Sequence, residues 1–161
     1  MKIINVTFVS SRNTVRPECI CSVKHNPDIE LVVVTPGPNQ RGVWTALSGS
    51  DVVVIDEEII RRDGDESMIM LLACNPGASC LVIMESFDEN RMLWLITRGA
   101  RGVIRCGDLQ QLFVKAIRQI HEGEIWIPRG LLNSFRGMIS PHEGCHISVD
   151  SVAANARPRL H

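Results

Sequence analysis

Five short apolar runs, separated by segments of helical length, constrain the fold of this chain most strongly. Each run is rich in Val, Ile and Leu and too short for a helix, which is typical of strands buried on both faces of a sheet. They occupy residues 3–9, 29–35, 51–55, 79–84 and 102–104. Such strands alternating with helices predict a five-stranded parallel sheet covered on both faces, a doubly wound α/β fold of the (β/α)5 kind.

The segments between these runs differ in how strongly they predict helices. Apolar residues recur at helical spacing in residues 66–74, 88–98 and 108–121, with Asp88 as an N-cap and Gly123 as a stop. Weaker helices are predicted at residues 13–24 and 38–47. After Gly123 a short extended piece, Trp126–Ile127–Pro128, precedes an aperiodic stretch. The pattern therefore predicts one domain over residues 1–128 and a linker or tail over residues 129–161.

Composition narrows the classes of function. The 161 residues carry a net charge of −1, which does not indicate a basic nucleic-acid-binding surface. No apolar run approaches the roughly 20 residues that a membrane span needs. The six cysteines include no C-x-x-C pair and are expected to be reduced. These features favour a cytoplasmic protein without a membrane partner.

In a doubly wound fold, function gathers where the strands end at the carboxyl edge of the sheet. Ser10 and Ser11 follow the first predicted strand, and Asp56 follows the third. Met84 ends the fourth strand, and Arg105–Cys106 follow the fifth. A carboxylate directly after a buried strand needs compensation for its charge. Asp56 is therefore either a solvated loop residue or part of a functional site.

Taken with three further stretches, these positions resemble a response-regulator receiver domain of the NarL/FixJ/LuxR type. The stretches are D-G at Asp63–Gly64, G-A-R-G at residues 99–102 and A-I-R-Q-I-H-E-G-E-I-W-I-P at residues 116–128. The resemblance covers residues 2–128, and Ile60 stands where the family has a proline. It implies a flavodoxin-like sheet with strand order 2-1-3-4-5.

Receivers are phosphorylated on an aspartate, and Asp56 matches that acceptor. The resemblance places the other conserved functions on residues that cannot perform them. The acidic pair that holds Mg²⁺ falls on Ser10 and Ser11, the hydroxyl position on Met84, the lysine on Cys106 and the switch aromatic on Val103. Serine hydroxyls are poor ligands for Mg²⁺ beside carboxylates, and Cys106 carries no fixed positive charge for a phosphate.

The resemblance therefore predicts a pseudo-receiver that works without phosphorylation, cofactor or metal and is not an enzyme. Asp56 is then a relic, expected to be solvated at the strand end or hydrogen-bonded by Ser10 and Ser11. The alternative is a conventional receiver of a two-component phosphorelay, with Asp56 phosphorylated, Mg²⁺ bound and Glu57 or Glu58 standing in as a metal ligand.

A third hypothesis is a small metal-dependent enzyme, because H-E-G-C-H at residues 142–146 matches H-E-x-x-H. Pro141 before the motif and Gly144 inside it disfavour the helix on which that motif depends. We interpret the match as chance.

The resemblance also implies partners for this chain. It predicts a regulator of transcription that acts through dimerisation, as a homodimer or as a heterodimer with another regulator, or through binding of a protein or ligand. DNA contact is expected only through a C-terminal helix-turn-helix domain beyond these 161 residues. The candidate interface residues are Arg91, Trp94, Arg98 and Lys115.

Overall fold

The fold is built on one five-stranded sheet, seen in a computed structural model that describes residues 2–10, 16–35, 47, 49–86 and 88–128. The strands are β1 (Ile4–Val9), β2 (Ile29–Val34), β3 (Val52–Asp56), β4 (Ser79–Met84) and β5 (Gly102–Arg105). They are all parallel, in the order β2-β1-β3-β4-β5. The predicted doubly wound, flavodoxin-like sheet is confirmed, and each predicted strand lies within one residue of its observed bounds.

Five helices and one short 3-10 turn accompany the strands in the described part of the chain. The helices are α1 (Pro17–Lys24), α2 (Glu57–Asp63), α3 (Glu66–Cys74), α4 (Glu89–Thr97) and α5 (Leu109–His121). The turn, Cys106–Asp108, leads directly into α5. Asp88 caps α4 as predicted, because its side chain accepts a hydrogen bond from the backbone N–H of Arg91. The helix predicted at residues 38–47 lies outside the described residues, except for Leu47.

The sequence pattern did not predict α2. This helix starts immediately after Asp56, in a stretch to which the pattern assigns no helix or strand. Its first turn holds Glu57 and Glu58, and its last turn holds Arg61 and Arg62. That distribution favours a helix because acids stabilise the positive N-terminal end of the dipole and bases the negative C-terminal end.

Helices cover both faces of the sheet. On one face, α1 and α5 pack on a core that includes Phe8, Val54 and Phe113. On the other face, α2, α3 and α4 pack on a core that includes Ile55, Leu71 and Leu95. The all-buried pattern of β3 follows from its central position between these two layers.

The segment after α5 adds a short piece to the free edge of β5. Trp126 forms a parallel bridge with Gly102. Its N–H donates to the carbonyl of Arg101 at 3.0 Å, and its carbonyl accepts from the N–H of Val103 at 3.0 Å. The predicted extended piece is therefore confirmed. The predicted tail, residues 129–161, lies outside the described residues.

In the part of the chain that the structure describes, no helix combines the length and apolarity needed to cross a membrane.

Candidate functional site at the carboxyl edge of the sheet

Asp56 is the last residue of the central strand β3, and α2 begins at the next residue. It is paired in register with Ile83 of β4 and is only 7% exposed. The expectation of a solvated carboxylate is therefore wrong. Because β3 is flanked on both sides and the chain turns at once into a helix, its terminal side chain remains largely inside the protein. A charge in this place needs a partner.

The partner of Asp56 is Arg16, which directly precedes α1. Its Nη2 lies 2.8 Å and its Nε 3.1 Å from Asp56 Oδ1, so both donate to the same oxygen. Pro17 accounts for the extended backbone of Arg16. A residue before proline is pushed into an extended conformation, and Arg16 has φ −56° and ψ 128°. Arg16 Nη2 also lies 3.5 Å from Glu85 Oε1, just beyond β4.

Ser10 and Ser11 are the other donors predicted for Asp56. The hydrogen bonds that the structure gives for this carboxylate come from Arg16. Ser10 is buried after β1, where its backbone N–H donates to the carbonyl of Val34. Ser11 lies outside the described residues. The hydrogen bond from Ser10 to Asp56 stays a prediction, and the guanidinium of Arg16 supplies compensation for the charge of Asp56.

Burial raises the pKa of Asp56 above its ordinary value, and the nearby carboxylates of Glu58 and Glu85 act in the same direction. The hydrogen bonds and positive charge of Arg16 pull this pKa down and offset part of the rise. The ionised form of Asp56 therefore depends on Arg16 for much of its stabilisation.

The remaining receiver-like positions offer no groups for phosphoryl chemistry. Met84 ends β4, and Val103 lies within β5. Both are buried in the core on the α2–α4 face of the sheet. Cys106 starts the 3-10 turn, half-buried against the opposite core, and burial raises the pKa of its thiol. The structure thus brings Cys106 to the same edge as Asp56, whereas Met84 and Val103 serve packing.

Asp56 lines an open cleft of about 230 Å³. The other lining residues are Arg16, Glu57, Glu58, Arg61, Ile83, Glu85 and Ser86. The cleft therefore contains two guanidinium groups and four carboxylates, and its surface is mixed in charge with an excess of acid.

Glu57 is a buried acid in this cleft, and two arginines hold it. Its Oε1 accepts from Arg61 Nε at 2.6 Å and from Arg91 Nε at 2.8 Å. Arg91 Nη1 also donates a hydrogen bond to Asp65 Oδ1 at 3.2 Å. Glu57 is therefore engaged in joining helices α2 and α4, whereas Glu58 on the same helix is exposed.

These residues do not fit a Mg²⁺ site. Magnesium prefers several oxygen ligands at one point, but one oxygen of Asp56 is occupied by a guanidinium and Glu57 is bound to two. Ser10 provides at most a neutral hydroxyl in place of a carboxylate. Within residues 2–10, 16–35, 47, 49–86 and 88–128, no three His, Cys, Asp or Glu side chains form a group able to hold a metal ion. The H-E-G-C-H motif at residues 142–146 lies outside these ranges.

Three of the four candidate interface residues form one stack on and beyond α4. The guanidinium of Arg91 lies 4.5 Å from the centre of the Trp94 ring, and that of Arg98 lies 5.4 Å from it. Arg91 is largely committed within the chain through Glu57 and Asp65, while Arg98 is exposed. Lys115 is exposed on α5. Their role at an interface stays a prediction.

The sequence pattern does not single out Arg16, although it completes the site. It lies 40 residues from Asp56 in the chain, in a segment whose helical pattern is weak. The one local signal is the proline that follows it, which predicts an extended residue at the start of a helix.

Comparison with known proteins supports the fold. Neither a protein-family model nor a curated protein matches this chain in sequence. Among solved structures, the isolated REC domain of RcsB from Salmonella enterica serovar Typhimurium is similar with a TM-score of 0.70 at 13% identity, covering 83% of this chain and 98% of that one.

Two LuxR-family proteins are also similar. A two-component response regulator from Aurantimonas sp. SI85-9A1 has a TM-score of 0.61 at 21% identity, covering 76% of this chain and 87% of that one. A DNA-binding response regulator from Silicibacter pomeroyi has a TM-score of 0.60 at 16% identity, covering 78% of this chain and 95% of that one. The receiver fold implied by the resemblance is therefore confirmed. At these identities the likeness shows the fold, and the chemistry must be argued from the residues.

Proposed function

We propose that this receiver fold is a regulatory module that acts without aspartyl phosphorylation and controls transcription through dimerisation or through binding of a protein or ligand. The observation that supports this most directly is the ion pair between Arg16 and Asp56, with Nη2 2.8 Å from Oδ1. This ion pair involves Asp56, the one residue of the receiver pattern's phosphorylation site that the sequence retains.

Phosphoryl transfer depends mainly on the positioning of the reactants and on positive charge at the transferred group. A carboxylate that attacks phosphorus must bring a free oxygen to it and lose little stabilisation in doing so. Asp56 would have to do this beside Arg16, without a metal site and with Met84 and Cys106 at the positions of the hydroxyl and the lysine. Each of these departures lowers the rate, and they act on the same step.

A module of this kind would act through binding equilibria. A partner shifts the population of two states only as far as its affinities for them differ. The proposed partners are a second copy of this chain or another regulator, in the cytoplasm. Contact with DNA would come through a C-terminal domain and would use the spacing that a dimer imposes. The stack of Arg91, Trp94 and Arg98 offers a cationic and aromatic surface for such contacts.

The second candidate function is a conventional receiver phosphorylated on Asp56. It is favoured by one observation, that Asp56 ends the central strand and lines the cleft. In this case Asp56 would attack through Oδ2, because both donors of Arg16 go to Oδ1.

Intact-mass spectrometry after incubation with Mg²⁺ and acetyl phosphate distinguishes these functions. We expect no phosphoryl adduct on the wild-type chain, which circular dichroism shows to be folded under the same conditions. A conventional receiver treated in parallel controls for the reagent. An adduct that appears on the wild type and disappears in Asp56→Ala would overturn the proposed function and establish the second candidate.

A further inference from the structure

We propose that Arg16 is a built-in cation that neutralises the carboxyl edge of the sheet in place of a divalent metal ion and makes that edge insensitive to such ions. This inference deepens the proposed function and rests on it, because it takes Asp56 as a structural carboxylate. Its basis is the disagreement between the receiver fold, which implies a metal site, and the residues that occupy this edge.

The first support is the geometry of the guanidinium. Two of its nitrogens donate to Asp56 Oδ1, at 2.8 and 3.1 Å, and Nη2 also approaches Glu85 Oε1 at 3.5 Å. A metal ion would bridge carboxylates from different strand ends in a similar way. Here a side chain does so, and it joins the start of α1, the end of β3 and the residue after β4.

The second support is the charge around Asp56. The carboxylates of Glu58 and Glu85 raise the pKa of Asp56, whereas Arg16 lowers it. The other arginine that lines the cleft, Arg61, donates to Glu57 at 2.6 Å. Arg16 is therefore the cation that offsets the charge of Asp56 within the described part of the cleft.

The third support is the chemistry of arginine. A guanidinium keeps its charge throughout the physiological pH range and presents a rigid fork of donors. Unlike a metal ion, it cannot dissociate from the protein. Asp56 should therefore stay in one neutralised state whatever the concentration of Mg²⁺, and a cation that enters the cleft would find Asp56 Oδ1 already occupied by Arg16.

The test compares thermal unfolding with and without millimolar Mg²⁺ in the wild type, Arg16→Gln and Arg62→Gln. Arg62 is the matched control because it is an exposed arginine that pairs with its neighbour Asp63. We expect Mg²⁺ to leave the midpoint of the wild type and of Arg62→Gln unchanged. Arg16→Gln should unfold at a lower temperature, by about 4 °C, and Mg²⁺ should restore part of that loss.

A second readout reports the site directly. In Arg16→Gln, Mn²⁺ should broaden the NMR signals of residues around Asp56, and the double variant Arg16→Gln/Asp56→Asn should lose this effect. The pKa of Asp56 should also rise further in Arg16→Gln, because the group that lowers it is gone. Should Arg16→Gln fail to fold, Arg16→Lys, which keeps the charge and loses the fork, is expected to fold and to remain insensitive to Mg²⁺.

Two results would overturn the inference. One is a wild-type midpoint that rises with Mg²⁺, or a response of Arg16→Lys to the ion. The other is an Arg16→Gln variant that neither loses stability nor binds Mn²⁺, which would mean that the missing acids alone exclude the metal. Both outcomes leave the proposed function standing, since that is judged separately by the acetyl phosphate reaction on the wild type.

Discussion

Arg91 Nε lies 2.8 Å from Glu57 Oε1, and this hydrogen bond joins α4 to the start of α2. Glu57 is buried, and Arg61 donates to the same oxygen. We expect Glu57→Ala to lower the free energy of unfolding by about 1–3 kcal/mol, because it removes the buried acceptor shared by the partly buried Arg91 and the exposed Arg61. The exposed neighbour Glu58 provides the control, with a change within about 0.5 kcal/mol for Glu58→Ala. Urea unfolding measures both, and equal losses would contradict the structural role assigned to Glu57.

Gly102 has no space for a side chain. A Cβ at this position would lie 2.9 Å from Trp126 Cβ, 3.0 Å from Leu81 Cδ1 and 3.2 Å from the carbonyl oxygen of Trp126. Gly102→Ala should therefore destabilise the protein by about 1–3 kcal/mol through overpacking. Gly107→Ala is the control, since a Cβ there has no neighbour within 4 Å among the described residues. A Gly102→Ala variant as stable as Gly107→Ala would show that Trp126 does not pack against β5 in this way.

The stability of the protein should depend on pH through Asp56 with an unusual sign. Burial raises the pKa of Asp56 above its ordinary value of 3.8, so the folded state holds this proton more tightly than the unfolded chain. Its contribution to stability is then fully present below the unfolded pKa and is lost as pH rises through the folded pKa. Asp56→Asn removes this dependence. Relative to that variant, the wild type should lose stability as pH rises from the unfolded pKa of Asp56 through its raised folded pKa.

Asp28 provides a control of opposite sign for the pH series. Its hydrogen bonds from Arg118 lower its pKa, so its contribution is present above the unfolded pKa and is lost as pH falls through the folded pKa. Wild type should therefore gain stability relative to Asp28→Asn as pH rises. Chemical unfolding of the three proteins at a series of pH values measures both trends. The same slope for the two variants would contradict the assignment of Asp56.

The thiols should separate into reactive and protected groups. Cys21 and Cys74 are exposed, whereas Cys19 and Cys80 are buried and burial raises the pKa of each thiol to about 12. Because the thiolate is the reactive form, we expect N-ethylmaleimide to label Cys21 and Cys74 first. Cys106, which is half-buried, should follow. Cys19 and Cys80 should react only as the protein unfolds.

Peptide mass mapping over a time course measures this order. A sample in denaturant, where all six cysteines are accessible, is the control. Labelling of Cys80 as fast as Cys74 would show that β4 is not buried between the two layers.

The fold could be predicted from the sequence because its signals are local. The runs of β-branched residues predict all five strands. The predicted bounds of α3, Glu66–Cys74, match those in the structure. Helix α2 was missed although its charges carry a signal, with acids in the first turn, arginines in the last and Gly64 at φ 89° after the end. Its seven residues are too few to show periodicity.

The site could be predicted only in part, because its contacts are not local. The position of Asp56 follows from the end of a strand, and the replacement of the family's acidic pair by Ser10 and Ser11 follows from the resemblance to receivers. Its counter-ion could not be predicted, because Arg16 reaches it from an element 40 residues away. A long side chain near a helix start has many reachable partners, and only the packing of α1 against the sheet selects one. The same holds for Arg91, whose contact with Glu57 spans 34 residues.

The bridge between Trp126 and β5 also has a mechanical consequence. Pro128 follows a segment held by two backbone hydrogen bonds and the fully buried indole of Trp126. A pull on the chain after Pro128 would load those two hydrogen bonds and the indole together. Because Trp126 packs in the same core as Phe113 and Ile120, such a pull would act on the edge strand β5 and on α5 at the same time.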